Sequence, residues 1–249
     1  MQIIIYSKNR QYQLDACLHS IYTYVKNYYS TNIIYSGKYD VIKNEHKHVR
    51  FIKETNLLEQ TKLLLSQDKY TLFVVDDTLF YRDIDVDNLL MYFTDDVLGI
   101  SLRLGLNTVY CYMHNCKQII PMMQYITPQI LKFDWTKQKH DFGYPFEIAS
   151  SVYRSEDILK VLNKFRSLTP TTIESRLNRS RDYSKPNLIC LKKSIAFSCP
   201  ANIVTGKNKC GNKYSAQKLN SLFNQGIRFD INKLKDLKIT SPHQEIDLC

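Results

Sequence analysis

Apolar residues along this chain fall into two alternating rhythms. Gln2-Ile3-Ile4-Ile5-Tyr6, Asn32–Tyr35, Val49–Ile52 and Leu72–Val75 are short runs rich in β-branched and aromatic side chains. Runs of that kind predict strands buried on both faces. Between them the spacing turns helical: Leu14, Cys17, Leu18, Ile21 and Val25 share one helix face. Asn56 and Glu59 read as a capping box for a helix carrying Leu57, Leu58, Leu64 and Leu65. Strand and helix in alternation predict an α/β fold with a mostly parallel, Rossmann-like central sheet flanked by helices.

The second half is less regular. A helix is expected from Asp87 through Leu89, Leu90 and Phe93, then strands over Val97–Leu102 and Val109–Met113, antiparallel across a turn containing Gly105. Asp141-Phe142-Gly143-Tyr144-Pro145-Phe146-Glu147 reads as a loop entering the stretch to Tyr153. Ser155 caps a helix whose first turn holds Glu156 and Asp157, where the macrodipole favours acids. Residues 198–214, with Pro200, Gly206 and Gly211 among Lys and Asn, read as a mobile loop. Ser215–Phe223 reads as a helix stopped by Gly226. With no internal repeat and no linker, residues 1–249 are expected to form a single domain.

The most informative chemistry is Asp76-Asp77, at the end of the Leu72–Val75 run and ahead of Thr78-Leu79-Phe80. Open α/β sheets bind ligands in the crevice beyond their strand ends. Adjacent carboxylates repel unless a cation lies beside them, so the pair points to a divalent metal bridging to phosphate; a polar turn is the plain alternative. Asp83-Ile84-Asp85-Val86-Asp87 imitates a calcium loop, but lacks Gly at its sixth position and Glu at its twelfth, and reads as a solvated turn.

The net charge of +10 favours anionic partners, and it is uneven: no Asp or Glu occurs between Lys185 and Lys218, which enclose Lys192, Lys193, Lys207, Lys209 and Lys213. Seven cysteines without CxxC spacing predict reduced, mostly structural thiols. The six histidines, His46 and His48 included, show no pair at zinc-ligand spacing. No apolar stretch is long enough to span a bilayer, and the amino terminus reads as a first strand rather than a leader. A cytoplasmic protein is the expectation, in the host cytoplasm if the chain is viral.

Several segments together resemble a family. Ser7-Lys8-Asn9-Arg10 followed by Gln13-Leu14 is similar to the "KNR-xx-QL" opening of GT-A-fold glycosyltransferases, in particular small bacterial and large-virus members. Leu72–Asp77 with Thr78-Leu79-Phe80 resembles their "FLVDD-x-x-F" metal segment, a DXD-like motif. Phe142-Gly143-Tyr144-Pro145, with Val152-Tyr153-Arg154 and Asp157-Ile158, resembles "WGYP … IFR … DI". Thr171-Thr172-Ile173-Glu174 stands where "N-x-LE" occurs, and Asn202-Ile203-Val204 and the helix to Gly226 match the closing section. The chain departs at Ala149-Ser150-Ser151, where relatives carry an acid followed by Gly-His.

The resemblance implies a GT-A-like domain with a nucleotide-binding half (1–103) and an acceptor half with a basic C-terminal loop (104–249). It implies transfer from a nucleoside-diphosphate sugar, UDP-sugar favoured and GDP-sugar possible, to a glycan acceptor. Mn2+ or Mg2+ would be held by Asp77, with Asp76 on the metal or on sugar and ribose hydroxyls. Ser7, Lys8 and Arg10 would hold the nucleotide, Arg10 near the diphosphate because its planar fork suits phosphate. Glu54 would accept from base or ribose. Glu147 is the candidate general base, with Glu174 as second candidate or as a structural acid near Arg176 and Arg179. A competing reading is a non-catalytic basic protein that docks nucleic acid or another anionic partner, with Tyr183, Phe197, Tyr214 and Phe223 interleaved as stacking on single strands would want. It lacks a recognisable nucleic-acid motif. A nucleotidyltransferase ranks last, because no glycine-rich phosphate loop follows the first strand. Trp135 stands in a core-like context.

Overall fold

The computed structural model describes residues 1–27, 29–180, 182–202 and 213–248. Its first half runs β1 (Gln2–Lys8), α1 (Gln11–Tyr24), β2 (Ser30–Ser36), α2 (Asp40–Glu45), β3 (Arg50–Lys53), α3 (Leu57–Leu65), β4 (Tyr70–Val75), β5 (Thr78–Phe80), α4 (Asp87–Leu90) and β6 (Val97–Ser101). The second half runs β7 (Tyr110–Cys111), β8 (Cys116–Lys117), β9 (Gln124–Tyr125), β10 (Ile130–Asp134), a 3-10 turn (His140–Gly143), β11 (Ser150–Arg154), α5 (Ser155–Leu162), α6 (Pro170–Arg179), β12 (Asn187–Leu191), β13 (Ala196–Ser198) and α7 (Ala216–Asn224).

Among the described residues, nine strands form one sheet in the order β3-β2-β1-β4-β11-β6-β12-β10-β9. The sheet is flanked by helices, as the alternation predicts, but it is mixed rather than mostly parallel. Four of its pairings are parallel and four antiparallel. Three of the parallel pairings belong to β3-β2-β1-β4, where crossover helices return the chain, and the fourth joins β6 to β12. β11 is entered from a loop, so it inserts antiparallel between β4 and β6.

The pleat separates two apolar layers. Ile3 and Ile5 of β1 join α1 and α7 through Leu14, Leu18, Leu219 and Phe223. Ile4 and Tyr6 face the other way, toward Leu58 and Leu64 of α3, Ile158 of α5 and Ile173 of α6. Leu72, Phe73 and Val74 are wholly buried, which requires cover on both faces and explains why their run does not alternate.

The expected hairpin across Gly105 does not form. Gly105 lies so close to the chain after β12 that an added Cβ would meet Ser194 N at 2.6 Å and Leu191 O at 2.9 Å. Leu106 N donates to Lys192 O, so the segment after β6 runs beside the segment after β12. The strand expected at Val109–Met113 shortens to β7 and pairs with β8 instead. The helix expected at Asp87 is a single turn. Val86 is buried below it and Asn27 Nδ2 donates to Asp85 and Asp87, so the alternating acids do form a turn at the surface. Among the described residues no helix is long and apolar enough to cross a membrane.

Candidate active site

β1 lies between β2 and β4, so successive strands leave it on opposite sides. That makes the carboxyl ends of β1 and β4 the switch point at which open α/β sheets form a crevice. Asp76 arrives there because its N–H continues the ladder to Tyr6 O at 3.2 Å. Its Oδ2 accepts from Ser7 Oγ at 2.9 Å and from Lys8 N at 3.2 Å. Arg10 follows immediately and donates through Nη1 to Asp76 Oδ1 at 3.1 Å and to Asp77 Oδ2 at 2.9 Å. Its Nη2 reaches Asn202 O at 2.7 Å. Tyr39 completes the cluster, its hydroxyl 2.6 Å from Ser7 Oγ and accepting from Arg10 N at 3.2 Å.

The structure therefore brings Ser7, Lys8, Arg10, Asp76 and Asp77 together, though with a different division of labour from the one the resemblance implies. Arg10 is buried, and its guanidinium binds two carboxylates and a carbonyl rather than facing an open crevice. Ser7 is spent on Asp76 and Tyr39, and Lys8 contributes its backbone while its side chain is exposed. Glu54 lies apart, at the end of β3, with β2 and β1 between it and β4. Burial opposes the Arg10 charge, but Asp76 and Asp77 outweigh it and raise its pKa. Burial pushes the Asp77 carboxyl up to about 6, with Arg10 pulling it down and Asp76 adding to the rise. Asp77 remains the more open of the two, with 16% of its side chain exposed against 7% for Asp76. A divalent ion would therefore meet Asp77 first.

A second arginine-centred cluster sits at the same edge of the sheet. β11 runs antiparallel to β4, so its amino end lies beside the carboxyl ends of β4 and β6. Thr78 Oγ1 donates to Ala149 O at 2.6 Å, tying this loop to the residue after Asp77. Arg103, buried just past β6, lies 3.5 Å from both Asp141 and Glu147. Glu147 is 3% exposed, and its oxygens accept from Ala149 N at 2.6 Å, Ser150 N at 3.1 Å and the Ser151 hydroxyl. That carboxylate holds the loop in shape. A base needs a free oxygen facing the acceptor, and Glu147 offers none in this arrangement. Glu174 is better poised. It accepts from Ile148 N at 2.8 Å, and burial pushes its pKa up to about 7. It faces Tyr144, Arg103 and Glu147. His243 completes the cluster 3.9 Å from Asp141, its pKa lowered to about 4 by burial and by Arg103.

Tyr39, Arg103, Asp141 and His243 escape a reading of the sequence by motif. The usable signal for Arg103 is the one that marks Arg10: a charged residue directly after a buried strand. Among the described residues, Ser101 Oγ, Ser150 Oγ, Ser198 Oγ and the Asn202 amide are buried without a hydrogen-bond partner. They lie at strand ends on this edge or, for Asn202, against Arg10. Buried polar atoms are ordinarily paired, so their concentration here suits a polar ligand.

The nucleic-acid alternative loses its stacking platform. Phe197 and Phe223 are core and Tyr214 is 7% exposed, which leaves Tyr183 at the surface. Trp135 is buried, its Nε1 donating to Lys185 O. Of the expected basic loop, Gly206, Lys207, Lys209 and Gly211 lie outside the described residues.

No protein-family model matches the chain. It is 26% identical over 191 residues to the bifunctional glycosyltransferase pgtA of Dictyostelium discoideum, a match covering 66% of this chain and 25% of that protein. The chain thus spans about a quarter of the length of this relative. Among solved structures, it is similar to TarS of S. aureus with a TM-score of 0.47 and 10% identity, over 80% of this chain and 36% of the other. It is also similar to a UDP-glucose pyrophosphorylase complexed with UDP-glucose, with a TM-score of 0.40 and 10% identity, over 90% of this chain and all of the other. These two likenesses in shape are loose. In sequence, the chain is similar to a glycosyltransferase.

Proposed function

We propose that the chain is a metal-dependent glycosyltransferase, moving a sugar from a nucleoside-diphosphate sugar to a glycan acceptor. Residues 1–103 form the nucleotide half and residues 104–249 the acceptor half. The observation that carries this reading is the Asp76–Asp77 pair, fixed by Arg10 at the β1/β4 switch point. The sequence similarity to a glycosyltransferase points the same way.

Hard carboxylate oxygens at the strand-end switch point suit Mn2+ or Mg2+, which bind through one or two carboxylates plus substrate phosphates. Such an ion supplies Lewis-acid stabilisation of the departing diphosphate. Asp77 would hold it, with Asp76 as second ligand or as acceptor for a ribose or sugar hydroxyl. Arg10 keeps the carboxylates at fixed spacing, and Ser7, Lys8 N and Tyr39 orient Asp76 and Arg10. A UDP-sugar is the favoured donor and a GDP-sugar the second choice. Glu174 takes the acceptor proton. A base with a pKa near the working pH combines a usable ionised fraction with adequate basicity. Glu147 positions the loop beside it.

Thermal unfolding with UDP or GDP, each with and without Mn2+, tests the reading. A ligand at about 100 times its dissociation constant adds about 2.7 kcal/mol, well within detection. The expected result is a stabilisation that needs nucleotide and metal together and disappears in Asp77→Asn. Equal stabilisation without metal, or in the variant, overturns the metal assignment. Absence of nucleotide-sugar turnover with every donor base overturns the transferase.

A further inference from the structure

Away from the carboxylate pair, the donor atoms of three side chains, Cys111, His114 and His140, converge, and Cys116 adjoins one of them, His140. β7 and β8 place Cys111 directly opposite Cys116. Side chains directly opposite across an antiparallel pair share one face, with their Cβ atoms about 4.5–5.5 Å apart. The tight turn between these strands carries His114, and Asn115 closes it with φ at 51°. His140 opens the 3-10 turn, also left-handed, with φ at 54°. Non-glycine residues are uncommon there and persist where surrounding structure demands them. The donor atoms of Cys111, His114 and His140 all lie within 4.8 Å of one another. Cys116 Sγ is 3.8 Å from His140 Nε2, and the two histidine rings are 4.9 Å apart between centroids.

We propose that Cys111, His114, Cys116 and His140 form a Cys2His2 zinc site. Zinc bonds of about 2.3 Å to sulfur and about 2.0–2.1 Å to nitrogen set tetrahedral donor separations of roughly 3.3–3.8 Å. The Cys116–His140 distance already meets that range, and His114 is exposed and free to swing inward. Two thiolates and two neutral imidazoles balance the 2+ charge. Thiolate with imidazole selects zinc, whereas magnesium and manganese take oxygen donors, so this centre and the one at Asp77 would not compete for one ion. With all four positions filled by protein, the site is structural and closed to substrate.

Its role follows from what it joins. The site staples the β7–β8 hairpin to the 3-10 turn, where Asp141 directly follows His140 and lies 3.5 Å from Arg103. Gln118, just past β8, makes the same connection by hydrogen bond, its Oε1 accepting from Asp141 N and its Nε2 donating to Thr108 O. Zinc would therefore fix the backbone that carries the Asp141–Arg103–Glu147 cluster. Sequence spacing hides the site, because His114 falls between the cysteines and His140 comes 24 residues after Cys116. Among the described residues the other group of this kind, Asp15 with His19 and His46, needs no metal, since Asp15 is already surrounded by both histidines and Arg228.

The test is metal analysis of the full chain, purified under reducing conditions without chelator. About one zinc per chain is expected. Metal-stripped protein titrated with cobalt(II) should develop the absorption of a tetrahedral centre with thiolate-to-cobalt charge transfer, and zinc should bleach it. Cys116→Ser and the exposed His114→Ala should weaken zinc binding by more than about 100-fold, beyond the 10–100-fold cost of disturbing only an outer-shell partner. His48→Ala, at a distant exposed histidine, should leave it unchanged. The proposal is overturned by substoichiometric zinc with no cobalt spectrum, by zinc affinity unchanged in both ligand variants, or by a Cys111–Cys116 disulfide in peptide maps of protein kept from air.

Discussion

Asp77→Asn sets stability and function against each other. In the ligand-free protein Asp77 is an expensive charge, because burial and Asp76 raise its pKa from 3.8 to about 6 despite the pull of Arg10. A carboxyl whose folded pKa lies above its unfolded value stabilises the fold only while protonated. The ionisation penalty is absent below the unfolded pKa and complete above the folded one. The rise of about 2 pK units corresponds to about 3 kcal/mol at neutral pH, since each unit is worth 1.36 kcal/mol. Partial exposure of the side chain lets water screen the charge and lowers the figure to roughly 1–2 kcal/mol. Asparagine mimics the protonated form, and its Oδ1 still accepts from Arg10 Nη1. In chelator, the variant should therefore be more stable than the parent by roughly 1–2 kcal/mol at about pH 7, and by about half that at about pH 5. Paired urea melts at the two pH values measure the difference. Nucleotide binding with Mn2+ should vanish in the same variant. A variant less stable than the parent at neutral pH, or a gain no larger at neutral than at acid pH, refutes the reasoning.

Three further outcomes follow from the second cluster. Glu147→Gln removes the charge that Arg103 faces, leaving one oxygen for the Ala149 and Ser150 N–H groups and an amide nitrogen toward Ser151, and should cost roughly 2–4 kcal/mol in a urea melt. A variant that kept full stability and lost only turnover would instead return Glu147 to the role of base. For Glu174, with its pKa near 7, turnover should rise as pH increases through that value, because only the ionised form accepts a proton. Glu174→Gln should lower the rate by about 10²–10⁴-fold and flatten that limb, and an unchanged pH profile rules the assignment out. Gly143→Ala should cost about 1–3 kcal/mol by thermal unfolding, because its Cβ would come within 2.3 Å of the Gln138 carbonyl and push the 3-10 turn aside.

How much of the fold the sequence discloses depends on how local the deciding interactions are. β1, α1, β2, β3, α3 and β4 are legible because each carries its own signal, such as the β-branched run at Ile3–Ile5 or the Asn56 side chain that caps α3 by accepting from Glu59 N. Past β6 the signals become non-local. β12, Asn187–Leu191, is recognisable as a strand only once β6 and β10 lie on either side of it. Val109–Met113 has strand-like composition, yet Gly105 must pack against Ser194 and Leu191, and that contact overrides the hairpin. The mixed character of the sheet is decided likewise by β10 and by β11, whose direction depends on a loop anchored through Glu147.

The candidate site divides along the same line. Asp76-Asp77 declares itself because two carboxylates at the end of an apolar run have no structural use that the run explains. Arg10 belongs with them for a reason the sequence conceals. A buried carboxylate pair needs a positive charge held in a fixed place even before any ligand arrives, and the first turn after β1 delivers one from the adjacent strand. Arg103 repeats this after β6, serving Asp141 and Glu147 across separations that no local pattern spans. Arg10 is fully engaged by the protein, whereas Arg103 keeps a buried Nε without a hydrogen-bond partner, so the capacity to bind a phosphate or a hydroxyl passes to what these pairings leave over. Those remaining groups are the open side of Asp77, the raised carboxyl of Glu174, and the buried Ser101, Ser150, Ser198 and Asn202 groups without partners. Ligand-binding groups in this chain are thus expected among the polar atoms that the fold leaves unsatisfied rather than among its most strongly paired charges.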